Sequence, residues 1–274
     1  TETDAHHFRA CVRDILRYSI SKEGVIFGPN RPCISSAIPV GIDTEGFANM
    51  AVQAEHQDDA ERLRESMGGK ALILGVDRLD YSKGLPQRFT GYGRLLEKYP
   101  EHRQHVGFLQ VAPRSRDDVK EYRDVKRQLD QLVGQINGQH ADFDWVPLRY
   151  ITRDMPRSML AGFHRIARVG LVTPLRDGMN LVAKEYVAAQ DPNDPGVLVL
   201  SRFAGAAAEL QDALLINPFD PEEIADALHI ALTMSLSERQ ARWRRMYETI
   251  RRNTAAAWSQ ACLQAVMGNR RLEA

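Results

Sequence analysis

The residues best suited to chemistry fall into four short polar clusters. The first is Asp77-Arg78-Leu79-Asp80-Tyr81-Ser82-Lys83-Gly84. Two cations, Arg78 and Lys83, share one loop with a glycine, just ahead of a segment with helical spacing. Fixed cations and the free backbone donors of a helix amino end suit a diphosphate. The same loop also reads as a surface turn whose cations pair with Asp77 and Asp80. The second cluster is Pro113-Arg114-Ser115-Arg116-Asp117-Asp118. Ser115 and Asp118 have capping-box spacing, and Arg114 and Arg116 either bind a phosphate at that helix end or balance Asp117 and Asp118. The third, Pro147-Leu148-Arg149-Tyr150-Ile151, offers a flat apolar edge and backbone groups to a base. The fourth is Leu175-Arg176-Asp177-Gly178-Met179-Asn180, followed by Leu181 and, about two turns into the next helix, Glu185. Gly178 lets the backbone come close to a ligand. Asp177 reads as a group for ligand hydroxyls or as an N-cap, and Glu185 as a ligand contact or as a solvated helix residue.

Each cluster follows a predicted strand or falls at its end. Strands are expected at 71–76, 106–112, 145–150, 169–173, 197–200 and 214–216, where short apolar runs meet turn signals. Helices are expected at 86–98, 116–135, 155–167, 180–190, 205–210 and 221–234, where apolar residues recur at helical spacing. Six strand–helix units in series predict an α/β fold: a Rossmann-like, doubly wound parallel sheet. In such sheets ligands sit at the carboxyl ends of the strands. The four clusters then share one rim, and together they match what a nucleotide sugar requires. The cations hold the diphosphate, which is also the leaving group; one carboxylate holds sugar hydroxyls and the other the ribose. Ahead of the sheet, 4–20 predicts an amphipathic helix, 24–33 a loop rich in glycine and proline, 34–42 a strand, and 43–67 a helix stopped at Gly68-Gly69. Helices are also expected at 237–252 and 254–267. The first is rich in arginine, which reads as a solvated face in preference to a nucleic-acid contact.

Composition excludes several classes. The chain has 274 residues, 43% hydrophobic and 26% charged, with zero formal net charge. No bulk field therefore favours nucleic acid or an anionic membrane. Three separated cysteines, Cys11, Cys33 and Cys262, argue against a disulfide framework and fit a reducing cytoplasm. No apolar run reaches the roughly 20 residues of a membrane span. No dinucleotide fingerprint, P-loop or nucleophile elbow is present. Asp142-Phe143-Asp144 precedes a strand and reads as a turn. His6, His7, His56, His102 and His105 lack ligand spacing, so no metal is expected. The chain opens at Thr1 without methionine, which suggests that an upstream part has been removed.

With these motifs in view, the sequence resembles the trehalose-6-phosphate synthases, retaining glycosyltransferases of family 20 with the two-domain GT-B architecture. The resemblance rests on Arg-Leu-Asp-Tyr-Ser-Lys-Gly at 78–84, Ala-Pro-Arg-Ser-Arg at 112–116, the run from Leu171 to Tyr186, Ala-Gly-Ala-Ala-Ala-Glu-Leu at 204–210 and Asn-Pro-Phe-Asp at 217–220. It implies transfer of glucose from UDP-glucose to glucose 6-phosphate, giving trehalose 6-phosphate and UDP, without a cofactor or a protein nucleophile. By position it gives Arg78 and Lys83 the donor diphosphate and Asp177 the hydroxyls of the transferred glucose. Leu148 falls to the base, the backbone of Gly178, Met179, Asn180 and Leu181 to phosphate, Glu185 to the ribose, and Arg116 to the acceptor phosphate. The same resemblance implies four parts: 1–45 as the tail of an amino-terminal acceptor domain, 46–69 as a linker helix, 70–252 as the nucleotide-sugar domain and 253–274 as a crossing helix. The chain is then expected to be truncated, to bind donor yet turn over poorly alone, and to leave a homo-oligomer open. Glycerol 3-phosphate or a cyclitol phosphate as acceptor, and a non-catalytic regulatory relative, are the alternatives.

Overall fold

The computed structural model describes residues 1–113 and 120–269. Arg116 and the Ser115–Asp118 capping box lie outside the described residues. The chain divides into two units, Thr1–Asp43 with Arg252–Ala274, and Thr44–Arg251.

In the first unit, α1 (Glu2–Leu16) opens with a capping box between Thr1 and Asp4. The apolar spacing predicts a helix to Ile20, but Arg17 turns left-handed at φ 60° and ends it. A small antiparallel sheet follows, ordered β1 (Ser19–Ile20), β2 (Val25–Phe27) and β3 (Pro32–Ile34). The expected loop at 24–33 therefore contains a hairpin. Pro32 is tolerated because it opens an edge strand, where its missing N–H removes little. The expected strand at 34–42 keeps only Ile34 and an isolated bridge from Ile42 to Thr254. The helix Ala255–Asn269 belongs to this unit, and its Trp258 indole donates to the Ile38 carbonyl at 3.1 Å.

The second unit begins with two helices instead of the single one expected, α2 (Thr44–Ala54) and α3 (Asp58–Met67). The sheet comprises β4 (Ala71–Val76), β5 (Val106–Val111), β6 (Leu148–Ile151), β7 (Val169–Val172), β8 (Val197–Ser201) and β9 (Leu214–Ile216). All neighbours are parallel, in the order β6-β5-β4-β7-β8-β9. Interleaved are α4 (Leu85–Lys98), α5 (Lys120–His140), α6 (Arg157–Ile166), α7 (Leu181–Ala189), α8 (Pro221–Thr233) and α9 (Leu236–Arg252). Helix α4 packs on α5 and α8, while α2 packs on α6 and α7, so helices cover both faces. That is the doubly wound α/β sheet the strand–helix alternation predicts. One core sheathes α4, with Phe89, Tyr92, Leu95 and Phe108 all fully buried. Four arginines of α9 pair with carboxylates: Arg239 with Asp194, Arg242 with Glu238, Arg245 with Asp212 and, at 4.0 Å, Arg251 with Glu45.

On α6, facing α2 and α7, lies His164, buried with its ring beside Phe47 and Tyr186. Burial pushes its imidazole down to about 4. The unfolded chain, with an ordinary histidine near 6.5, then binds the proton first. Stability from this group is full at neutral pH and is lost as pH falls through the unfolded value. About 2 kcal/mol should disappear between pH 7.5 and 5. Thermal melts across that range should show the loss, and His164→Phe should flatten it; an unflattened profile would assign the acid sensitivity elsewhere.

Candidate functional site

The topology fixes where a site can form. Strand β4 leads outward to β5 and β6, and the chain then returns to place β7 on the other side of β4. The loops after β4 and β7 therefore diverge from a topological switch point, the place where open parallel sheets leave a crevice. These are the loops that carry Arg78, Lys83 and Asp177.

The β4 loop is held by its own side chains. Asp80 accepts from the Ser82 N–H and hydroxyl, both at 2.8 Å, and from the Tyr122 hydroxyl at 3.1 Å. Gly84 then takes φ 64°, and a Cβ there would lie 2.2 Å from the Thr173 carbonyl oxygen. Only glycine suits that close, left-handed turn, which starts α4. The Leu175 N–H donates to the Ser82 carbonyl at 2.8 Å, tying this loop to the one after β7. Across the junction, Lys83 Nζ reaches Asp177 Oδ2 at 2.6 Å, with both side chains largely buried. The surface-turn reading is corrected here: Lys83 pairs with Asp177, Asp77 pairs with Arg88, and Asp80 serves as a turn cap.

Beneath the rim lies a network of which the clusters include only Asp77. Arg88 is fully buried in α4. Its guanidinium donates to Asp77 Oδ2 at 2.7 Å, to Gln110 Oε1 at 2.9 Å and to Thr173 Oγ1 at 2.9 Å. One side chain thus ties the ends of β4, β5 and β7 together. Burial raises the Asp77 carboxyl above its ordinary value, and the facing Arg88 pulls it back.

Asp177 also accepts from the Met179 N–H and from Asn180 Nδ2, each at 3.2 Å. It is not the N-cap. Asn180 is, at φ 74°, with its side chain accepting from the Ala183 N–H at 3.0 Å. Asparagine tolerates that left-handed position better than most residues. The N–H groups of Gly178, Asn180 and Leu181 have no partner among the described residues, and a Cβ on Gly178 would meet no atom within 4 Å. Since the helix begins at Leu181, Glu185 lies little more than one turn in. It accepts from Arg157 Nη2 at 3.0 Å. Burial raises its carboxyl above the ordinary range, against the pull of Arg157.

Comparison with known sequences decides the family. The model of glycosyltransferase family 20 matches residues 1–267. This chain belongs to glycosyltransferase family 20. It is 46% identical to the trehalose-6-phosphate synthase of Sinorhizobium fredii over 258 residues, which are 94% of this chain and 56% of that protein. It is also similar to two solved structures. The alpha,alpha-trehalose-phosphate synthase (UDP-forming) of Burkholderia xenovorans, in complex with glucose-6-phosphate, is 44% identical with a TM-score of 0.94, covering 97% of this chain and 59% of that one. An E. coli structure bound with UDP-2-fluoro glucose is 43% identical with a TM-score of 0.92, covering 96% and 58%. The chain spans about half the length of the curated relatives it matches.

In this family-20 chain not every sequence-derived site residue comes to the rim. Arg78 does, exposed and without an ion pair among the described residues. Leu148 does not. The expected strand at 145–150 is displaced, because Trp145 closes a turn with Asp142 and Pro147 lacks an N–H. Leu148 therefore starts β6 at its amino end, buried, with its N–H and C=O both taken by the Asn137 side chain. The Asp142–Trp145 bridge makes Asp142-Phe143-Asp144 part of a turn, as its place ahead of a strand predicts. A cavity of about 640 Å³ opens beside edge strand β6, lined by Arg62, Arg149, Met155, Met159 and Phe163 among others; neither Lys83 nor Asp177 lines it. Arg88 and Thr173 went unmarked in the sequence. Arg88 did carry a signal, since it occupies the i+3 place in the buried stripe Leu85, Phe89, Tyr92, Leu96.

Proposed function

We propose that this chain is the donor-binding, carboxy-terminal half of a retaining GT-B enzyme. That enzyme moves glucose from UDP-glucose to glucose 6-phosphate, giving trehalose 6-phosphate and UDP. The observation that carries the reading is the meeting of Lys83 and Asp177 at the switch point, 2.6 Å apart. A cation beside a carboxylate, at a helix amino end with free N–H groups, matches a sugar diphosphate in charge and order. Lys83 and Arg78 hold the diphosphate. Asp177 takes sugar hydroxyls, and the free N–H groups of Gly178, Asn180 and Leu181 address phosphate. The Met179 N–H joins them once Asp177 turns from it to the sugar. Glu185 faces the ribose, and Arg116 the phosphate of the acceptor. The unclaimed space beside Gly178 leaves room for the donor to approach the backbone.

The chemistry then needs no protein nucleophile. The bond from the anomeric carbon to the UDP oxygen breaks as the acceptor hydroxyl attacks from the same face. Its proton passes to the departing phosphate oxygen. Charge building on that phosphate is stabilised by Lys83, Arg78 and the helix end. These groups supply what a divalent ion supplies in other transferases, so the reading is metal-independent. Three free thiols suit a reducing cytoplasm, and no described helix is long and apolar enough to cross a membrane.

Calorimetric titration of the chain with UDP, and with GDP and ADP as controls, tests the donor assignment. UDP should bind in preference to both. Equal binding of the three, or no binding by a chain that melts cooperatively, would overturn it.

A further inference from the structure

Far from the rim, the fold brings two adjacent metal-ligating side chains together with a third that is distant in sequence. Glu101 and His102 belong to the short turn Pro100–His102 after α4, and His229 comes from α8. Each presents one ligating atom within 4.8 Å of the other two. The turn precedes β5, so the cluster sits at the amino ends of the strands, opposite Lys83 and Asp177. We propose that Glu101, His102 and His229 form a binding site for a zinc-like divalent transition ion that staples α4 to α8.

The distances support this. His102 Nε2 lies 3.0 Å from His229 Nδ1, and His229 Nδ1 lies 3.7 Å from Glu101 Oε1. A tetrahedral zinc with bonds of about 2.0–2.1 Å separates its ligand atoms by roughly 3.3 Å, between those two values. The ligands are also pre-aimed. Tyr99 stacks on the His229 ring at 4.0 Å and 10°, and its hydroxyl is fixed by Asp226 at 2.8 Å. His102 is buried, with its ring centroid 5.2 Å from that of His229. In the metal-free state one proton bridges the two facing nitrogens. When the ion binds, the donating ring moves that proton to its other nitrogen, and both facing lone pairs turn to the metal. Two imidazoles and one carboxylate favour zinc or nickel over calcium or magnesium. Glu101 is exposed, so solvent can supply the fourth ligand.

The test is calorimetric titration of the chain with zinc chloride, with magnesium as control, and a thermal melt at each concentration. One saturable zinc site is expected. At about one hundred times its dissociation constant, zinc should raise the midpoint by roughly 5–10 °C. His229→Gln should abolish both effects and leave UDP affinity unchanged; Glu101→Gln should weaken zinc binding. No saturable zinc site in the parent chain, zinc binding retained in His229→Gln, or magnesium matching zinc would each overturn the proposal. His229 is partly exposed, so its glutamine variant remains a fair test even if a His102 variant does not fold.

Discussion

Replacing Arg88 by methionine should destabilise the second unit by about 3–5 kcal/mol and lower its thermal midpoint by roughly 10 °C. The guanidinium is fully buried, and the Asp77 side chain facing it is 2% exposed. Methionine fills similar space but donates nothing. Asp77, Gln110 and Thr173 each lose their partner at once, and a carboxylate is left in a dry interior. The cost comes less from the lost pair than from the orphaned charge. A double variant, Arg88→Met with Asp77→Asn, should therefore recover part of the loss. The damage should also reach the rim, because Thr173 touches the Gly84 turn that starts α4. Thermal unfolding of the single and double variants decides the matter. A single variant that melts within about a degree of the parent would show that the network carries little of the fold's stability.

Lys83→Ala should weaken UDP binding by roughly ten- to 150-fold, the range for a lost charge-assisted hydrogen bond. The loss belongs toward the upper end. Without Lys83, Asp177 keeps the Met179 and Asn180 donors but no cation, and it then faces the incoming diphosphate as a bare anion. The partner substitution has the opposite sign. Asp177→Asn frees Lys83 from its 2.6 Å ion pair, so UDP alone should bind as well or more tightly, while the advantage of UDP-glucose over UDP should shrink. Calorimetry with both ligands on both variants separates a diphosphate role from a sugar role. Unchanged UDP affinity in Lys83→Ala would undo the donor assignment.

Most strands of the parallel sheet were legible as apolar runs ending in a polar turn. Ala71–Val76 and Leu214–Ile216 stand where the sequence predicts them, because a parallel strand covered on both faces must be apolar throughout. The hairpin of β2 and β3 was not legible. Its strands are three residues each, only Ile26 is buried, and glycine and proline around them read as loop. Pairing there is set by backbone geometry, which leaves little mark on composition. At the site, Lys83, Asp177 and Gly84 were visible as polar residues after strands. Arg88 was hidden because a charged residue in a helix usually faces water, although its place in an apolar stripe contradicted that. His229 was hidden for another reason: it stands 127 positions from His102, and only the fold joins them.

The loop that carries Asp177 does not hang free. Its backbone is laced to the loop after β8: the Asp177 N–H donates to the Phe203 carbonyl at 3.2 Å, the Gly205 N–H to the Asp177 carbonyl at 2.8 Å, and the Ala206 N–H to the Met179 carbonyl at 2.7 Å. Gly205 passes so close that a Cβ would lie 2.2 Å from the Gly178 carbonyl oxygen. Two loops stitched in this way can change their side chains but not their lengths independently. An inserted residue between Val172 and Asn180 would slide one thread past the other and carry Asp177 off Lys83. Diversification of this rim is thereby steered toward point replacement and away from insertion, so novelty in length has to arise at the sheet's unlaced edges.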